Sequence, residues 1–246
     1  MTHTDSSSAL QMPEVKFGNI PYTNKVIIYV VQATATSYIN YMKVLMMAAE
    51  LNMDYEIAVV GSTKEPWYQP VHPERYVPAI CDYDAVQKQV FYVFESTSCL
   101  QYLANEYDTE GLWKGRTPGE RASVLSWTAY QTAGLGATSK YWLYFHKLHS
   151  EKLPKTIEKL YANCLKQYEI IEARLSQEGQ QYIALCDRPS VADLAYYPFL
   201  MPYMFDFMGV SIDQYPEIKG WAQRMSERPA ITRVLEFAPT IGNQLL

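Results

Sequence analysis

Every run that reads as a β-strand lies within the first 93 residues of this 246-residue chain. VIIYVV (26–31), DYEIAVV (54–60), VPAICDY (77–83) and KQVFYV (88–93) are short and rich in β-branched and aromatic residues. Between the first two, YINYMKVLMMAAEL (38–51) sets Ile39, Met42, Leu45, Met46 and Ala49 near helical spacing. Gly61 to Pro73 holds Pro66 and Pro70 and reads as loop with one turn of helix. ESTSCLQYLANEY (95–107) reads as a helix, with Leu100 and Leu103 near one face and Glu95 and Ser96 at its positive end. The order β-α-β-(short α)-β-β-α describes a mixed sheet with helices packed on it.

The second half carries no strand pattern. Helices are expected over 118–146, 153–177, 190–207 and 214–227, with a short piece after Pro229. The best-marked start is RPSVADLAYYPF, with Ser190 as N-cap and Asp193 three residues on. Gly134 and Gly136 interrupt the first long helix at about 1 kcal/mol each, which suggests room for a ligand or a neighbouring helix. The expected division is a mobile extension (1–23), an α/β domain (24–108), a linker (109–117) and an all-helical domain (118–240).

Composition excludes several function classes. With 26 acidic and 21 basic residues the net charge is −5, so a bulk basic surface for nucleic acid is absent. The four cysteines form no CxxC pair, so neither a zinc ribbon nor a dithiol motif is encoded, and the His146–His149 pair lacks further metal ligands. No apolar stretch approaches the roughly 20 residues that cross a bilayer, and the first residues lack the apolar core of a secretory signal. The expectation is a metal-free, cytoplasmic protein without a membrane span. The 21 tyrosines offer apolar area with polar tips, suited to flat organic ligands.

Four pieces in order carry a family resemblance: Tyr76-Val77-Pro78-Ala79-Ile80; Glu95-Ser96 followed by Leu100, Tyr102 and Leu103; Ser190-x-x-Asp193 with Tyr215-Pro216-x-Ile218-x-x-Trp221; and Arg228-Pro229-Ala230. They resemble the matching segments of glutathione transferases. Ser37-x-x-Asn40-x-x-Lys43-Val44 is similar to the S-x-P-N-G-x-K-V stretch of fungal members, including secondary-metabolite-cluster transferases, with Ile39 and Tyr41 in place of Pro and Gly. The resemblance implies a thioredoxin-like N-terminal domain, an all-helical C-terminal domain, glutathione as co-substrate or cofactor, and a homodimer.

It also implies roles. Glu95 would pair with the γ-glutamyl ammonium, and Ser96, at a helix start, with the carboxylate. Val77-Pro78, cis in the family, would bind the cysteinyl backbone like an added strand. A cation among Lys64, His72 and Arg75 would meet the glycyl carboxylate. The thiol would face the loop after the first strand. There Ser37 by motif, Thr36 and Thr34 by proximity, and Asn40 could stabilise the thiolate; helix capping by Thr36 or Ser37 is the alternative. Lowering the thiol pKa by two units takes about 2.7 kcal/mol. Tyr38, Tyr41, Tyr130, Tyr141, Trp142 and Phe205 would form the wall for a second, apolar substrate. The leading reading is a transferase acting on a bulky apolar electrophile in fungal secondary metabolism. A glutathione-dependent isomerase of an activated double bond and a non-catalytic binding or regulatory protein are the alternatives.

Overall fold

The structure, a computed structural model, describes residues 13–34 and 36–243. Five strands, β1 (Glu14–Phe17), β2 (Val26–Val30), β3 (Tyr55–Val59), β4 (Ala79–Asp84) and β5 (Gln89–Phe94), form one sheet in the order β1-β3-β2-β4-β5. β1 and β2 flank β3 in parallel, β4 runs antiparallel to β2, and β5 antiparallel to β4. Alternation along β2 splits the core. Ile27 and Tyr29 join Ala58, Tyr68, Ala79 and Cys81 on one face, and Val26, Ile28 and Val30 face the larger core on the other.

The expected mobile extension needs correction. Glu14–Phe17 pairs in register with residues 56–59 as an edge strand, and the Lys16 ammonium lies 2.9 Å from the buried Glu56 carboxylate. Two charges in four residues hide such a strand from pattern reading, and charged side chains suit an edge. The rest of that extension, residues 1–12, lies outside the described residues.

α1 (Tyr38–Glu50) packs on the larger core face and is buried nearly all round, because α2 (Ser96–Tyr107) and two helices of the second half enclose it. The second half contains α3 (Pro118–Gln131), α4 (Ala137–Leu143), α5 (Pro154–Leu175), α6 (Val191–Leu200), α7 (Pro202–Met208), α8 (Pro216–Ser226) and α9 (Pro229–Phe237). Of these, α6 and α9 lie against α1. At the α9 start, Arg228 grips Glu50 of α1 through two bonds of 2.6 and 2.7 Å, joining the two halves.

Two further expectations shift. The helix expected over 118–146 continues from α3 through α4, but π-helical turns occupy Thr132–Gly136 and Tyr144–Leu148. A Cβ at Gly134 would strike the Gln167 carboxamide of α5, so this glycine makes room for a neighbouring helix. The helix expected over 190–207 breaks at Met201, which is extended (φ −70°, ψ 154°) ahead of Pro202. The capping box at its start is present. Buried Asp193 accepts from Ser190 N and Oγ, from Ile183 N and from the Trp221 indole. No helix among the described residues is long and apolar enough to cross a membrane.

Candidate active site

The two halves meet along a cleft of about 570 Å³. One wall comes from the α/β half: the loop from β2 into α1, the segment before β4, and the start of α2. The other comes from the π turn after α3, from α4, and from α6 and α7. Of the residues expected to bind or activate a thiol peptide, Thr36, Ser37, Asn40, His72, Val77, Pro78, Glu95 and Ser96 all line it.

The Val77–Pro78 peptide is cis. Glu95 precedes α2 at φ +70°, a conformation costly for a residue with a Cβ and common at functional sites. No side chain caps α2, and the Glu95 carboxylate stays largely exposed at the cleft rim.

His72 is buried between the rings of Tyr76 and Phe94, with centroids 5.7 and 5.2 Å away. Its Nδ1 accepts the Glu74 N–H at 3.1 Å, so the ring proton sits on Nε2, 3.8 Å from Glu95. Burial holds its pKa below the ordinary histidine value. His72 is therefore a neutral donor beside Glu95 and not the expected cation. Lys64 and Arg75, the other expected cations, do not line the cleft, and the Arg75 guanidinium donates to the Lys64 carbonyl at 3.0 Å.

The loop before α1 sorts the thiol candidates. Ser37 Oγ accepts the Thr34 N–H at 2.8 Å and donates to the Gln32 carbonyl at 3.1 Å. Its one proton is thus committed to the loop. It does not cap α1 either, since that start has no side-chain cap. Thr34 turns to a shallow hollow beside Gln32, Gly61 and Gly242. The side chains of Thr36 and Asn40 line the cleft without a hydrogen bond to any described residue.

Lys43 belongs to the Ser37-x-x-Asn40-x-x-Lys43 motif, and it is the charged residue of the cleft that the sequence alone does not assign. It is 2% exposed and lines the cleft. Its ammonium donates to Ser96 Oγ at 3.3 Å and lies 4.7 Å from the Phe199 ring centroid. Burial pushes its pKa down to about 7. A lone lysine inside the apolar run YMKVLMMAA was the available signal.

Of the expected apolar wall, Tyr141 and Trp142 line the cleft, whereas Tyr38, Tyr41, Tyr130 and Phe205 do not. Tyr41 is fully buried and donates to the Ala238 carbonyl at 3.5 Å. Phe205 packs in the core on Tyr168 and Tyr215, with centroids 4.7 and 5.7 Å away. Tyr130 contacts Trp127 edge-on at 6.1 Å. Tyr38 is half-buried against the core. Their places are taken by Ile39, Phe199, Met204, Phe207 and Met208. Trp142 is the anchor: His146 stacks on it at 4.7 Å and Phe207 meets it edge-on at 6.0 Å. At the mouth, the Lys140 ammonium lies 4.8 Å from the Tyr76 ring centroid, bridging the two lips.

Comparison with known proteins identifies similar chains. Residues 40–106 match the glutathione S-transferase N-terminal domain family, and residues 137–229 match the C-terminal domain family. Glutathione S-transferase aclG of Aspergillus oryzae is 50% identical over 227 residues, 90% of this chain and 99% of that protein. Glutathione S-transferase sirG of Leptosphaeria maculans is 44% identical over 221 residues, 89% of this chain and 94% of that protein. A glutathione transferase of Phanerochaete chrysosporium, solved in complex with oxidized glutathione, superposes with a TM-score of 0.77 at 25% identity, covering 89% of this chain and 99% of that one.

Proposed function

The chain belongs to the glutathione S-transferase family, and from that premise we propose that it joins glutathione to a bulky, apolar electrophile in fungal secondary metabolism. The observation that carries the reading is that the two ends of one cleft differ in character. Glu95, Ser96, Val77 and His72 give one end polar partners for a peptide, while Trp142 and Phe207, whose ring centroids lie 6.0 Å apart, and Met208 give the other an apolar wall. The names of close relatives, among them a trimodular acetylaranotin synthesis protein of Aspergillus terreus, support the secondary-metabolite setting.

In this reading Glu95 takes the γ-glutamyl ammonium, Ser96 and the first amides of α2 take the carboxylate, and the Val77 backbone pairs with the cysteinyl unit. The thiol then faces Thr36 and Asn40, whose donors favour the anion. The thiolate attacks an electrophilic carbon held against Trp142. A C–S bond forms as the π bond of the conjugated acceptor opens, its electron pair moves onto the activating group and takes a proton from solvent, the thiol proton having already passed to solvent. Holding both reactants together supplies much of the acceleration. The same reading includes two-fold pairing of copies, which sedimentation velocity tests.

The direct test incubates the purified protein with glutathione and a panel of conjugated apolar electrophiles, scoring adducts and isomerised acceptors by mass spectrometry. Adducts that vanish in the Glu95→Ala, Ser96→Ala double variant support the reading. Calorimetry showing that the wild-type protein does not bind glutathione would sink it.

A further inference from the structure

A buried lysine needs acceptors for three N–H donors and an opposite charge. Lys43 falls short on both counts. Its ammonium has one hydroxyl acceptor, Ser96, and one aromatic face, Phe199. Among the described residues no carboxylate comes within ion-pair distance of it. An apolar side chain of similar volume would fill the same space at lower cost, so packing does not explain the charge.

A second observation points the same way. Gln131, 1% exposed, lines the same cleft, and its buried amino group has no hydrogen-bond partner. The hydroxyls of Thr132 and Thr97, 3.0 Å apart, tie the π turn after Gln131 to the first turn of α2. Gln131 and Ser96 are thereby held at one end of the cleft. Unmatched donors lie inside, and the Glu95 carboxylate stands outside at the rim. A ligand end that completes this arrangement presents a carboxylate inward and a cation outward, which is the pattern of a free α-amino-acid group.

We propose that Lys43 is the counter-charge for that carboxylate. The proposal rests on the glutathione reading above and adds the residue that neutralises the γ-glutamyl carboxylate. Its pKa of about 7 supports it. Above that pH an arriving carboxylate draws a proton onto Lys43. The titratable groups around this end are Glu95, the one charge among the described residues that raises the Lys43 pKa, and His72, whose Nε2 faces Glu95.

The test is calorimetry at pH 7.5 on the wild type and Lys43→Met with two probes. One is S-hexylglutathione, which has no thiol proton to lose. The other is its analogue with the γ-glutamyl α-carboxylate converted to a carboxamide. Lys43→Met should weaken the first about tenfold or more and the second less than about threefold. Titration in two buffers of different ionisation heat should show proton uptake with the first probe in the wild type and in His72→Asn, and none in Lys43→Met. Equal losses with both probes, or uptake that disappears only in His72→Asn, overturn the proposal. If Lys43→Met fails to fold, Gln131→Leu carries the same two-probe comparison. Wild-type protein that binds neither probe refutes the glutathione reading as well; wild-type binding that Lys43→Met leaves unchanged refutes this proposal alone.

Discussion

Ser37 donates its hydroxyl proton to the carbonyl of Gln32, 3.1 Å away, inside the loop that leads from the sheet to α1. The serine that the motif favours is thus used to shape the loop, and the cleft is left to Thr36 and Asn40. Ser37→Ala should lower stability by about 1–2 kcal/mol through the lost bonds, with kcat of the folded enzyme changed less than about threefold. Asn40→Ala should raise the apparent thiol pKa in the pH–rate profile by about one unit, a loss of about 1.4 kcal/mol of thiolate stabilisation. An unmoved profile in Asn40→Ala together with a shifted one in Ser37→Ala would reverse the assignment.

Lys43 also sets a pH dependence of folding. Its folded pKa is about 7 against 10.5 in the unfolded chain, so between these values the unfolded state binds more protons. Stability at this site rises with pH across that window, and the full cost is felt below pH 7. Lys43→Met should therefore stabilise the protein by a few kcal/mol near pH 6, or roughly 5–10 °C in Tm, and by progressively less toward pH 10. Thermal melts at pH 6, 8 and 10 check the trend; a gain that grows with pH contradicts it.

Asp193 is a buried carboxylate with four donors around it. Asp193→Ala strands the Trp221 indole and two backbone amides inside the helical half. The expected loss is about 3–5 kcal/mol. Chemical denaturation measures it, and a loss below about 1 kcal/mol would mean that water replaces the carboxylate.

The Arg228–Glu50 pair is charge-assisted and bidentate, with Glu50 nearly buried. A double-mutant cycle with Arg228→Met and Glu50→Gln should return a coupling of about 1–3 kcal/mol that changes little between 0.05 and 0.5 M salt. Coupling abolished by salt would place the pair with ordinary surface ion pairs.

Much of this fold was legible because short apolar runs and turn residues mark strands locally. Val77-Pro78 and Glu95-Ser96 were legible for a related reason: a turn and a helix start are written in consecutive residues. The misses share a cause in long-range geometry. β1 exists because β3 offers it an edge, and no pattern in EVKF announces that. Tyr41 and Phe205 have the chemistry of a ligand wall, but which way each faces depends on α9 and α5, far along the chain. Lys43 was visible as an oddity in an apolar helix; its meaning needed Ser96, 53 residues on.

α1 carries Asn40 and Lys43 on one rod clamped by the sheet, α2, α6 and α9. The Asn40 and Lys43 positions in the cleft therefore share a single ruler, and a change that shifts one shifts the other. The opposite lip is built on a helix interrupted by two π turns and on the short α7, and it meets the first lip through the Thr132–Thr97 hydrogen bond and the Lys140–Tyr76 contact. Substitutions at Tyr141, Phe207 or Met208 therefore fall on that lip and leave the residues of α1 unaltered. The two lips of the cleft are thus carried by different pieces of backbone.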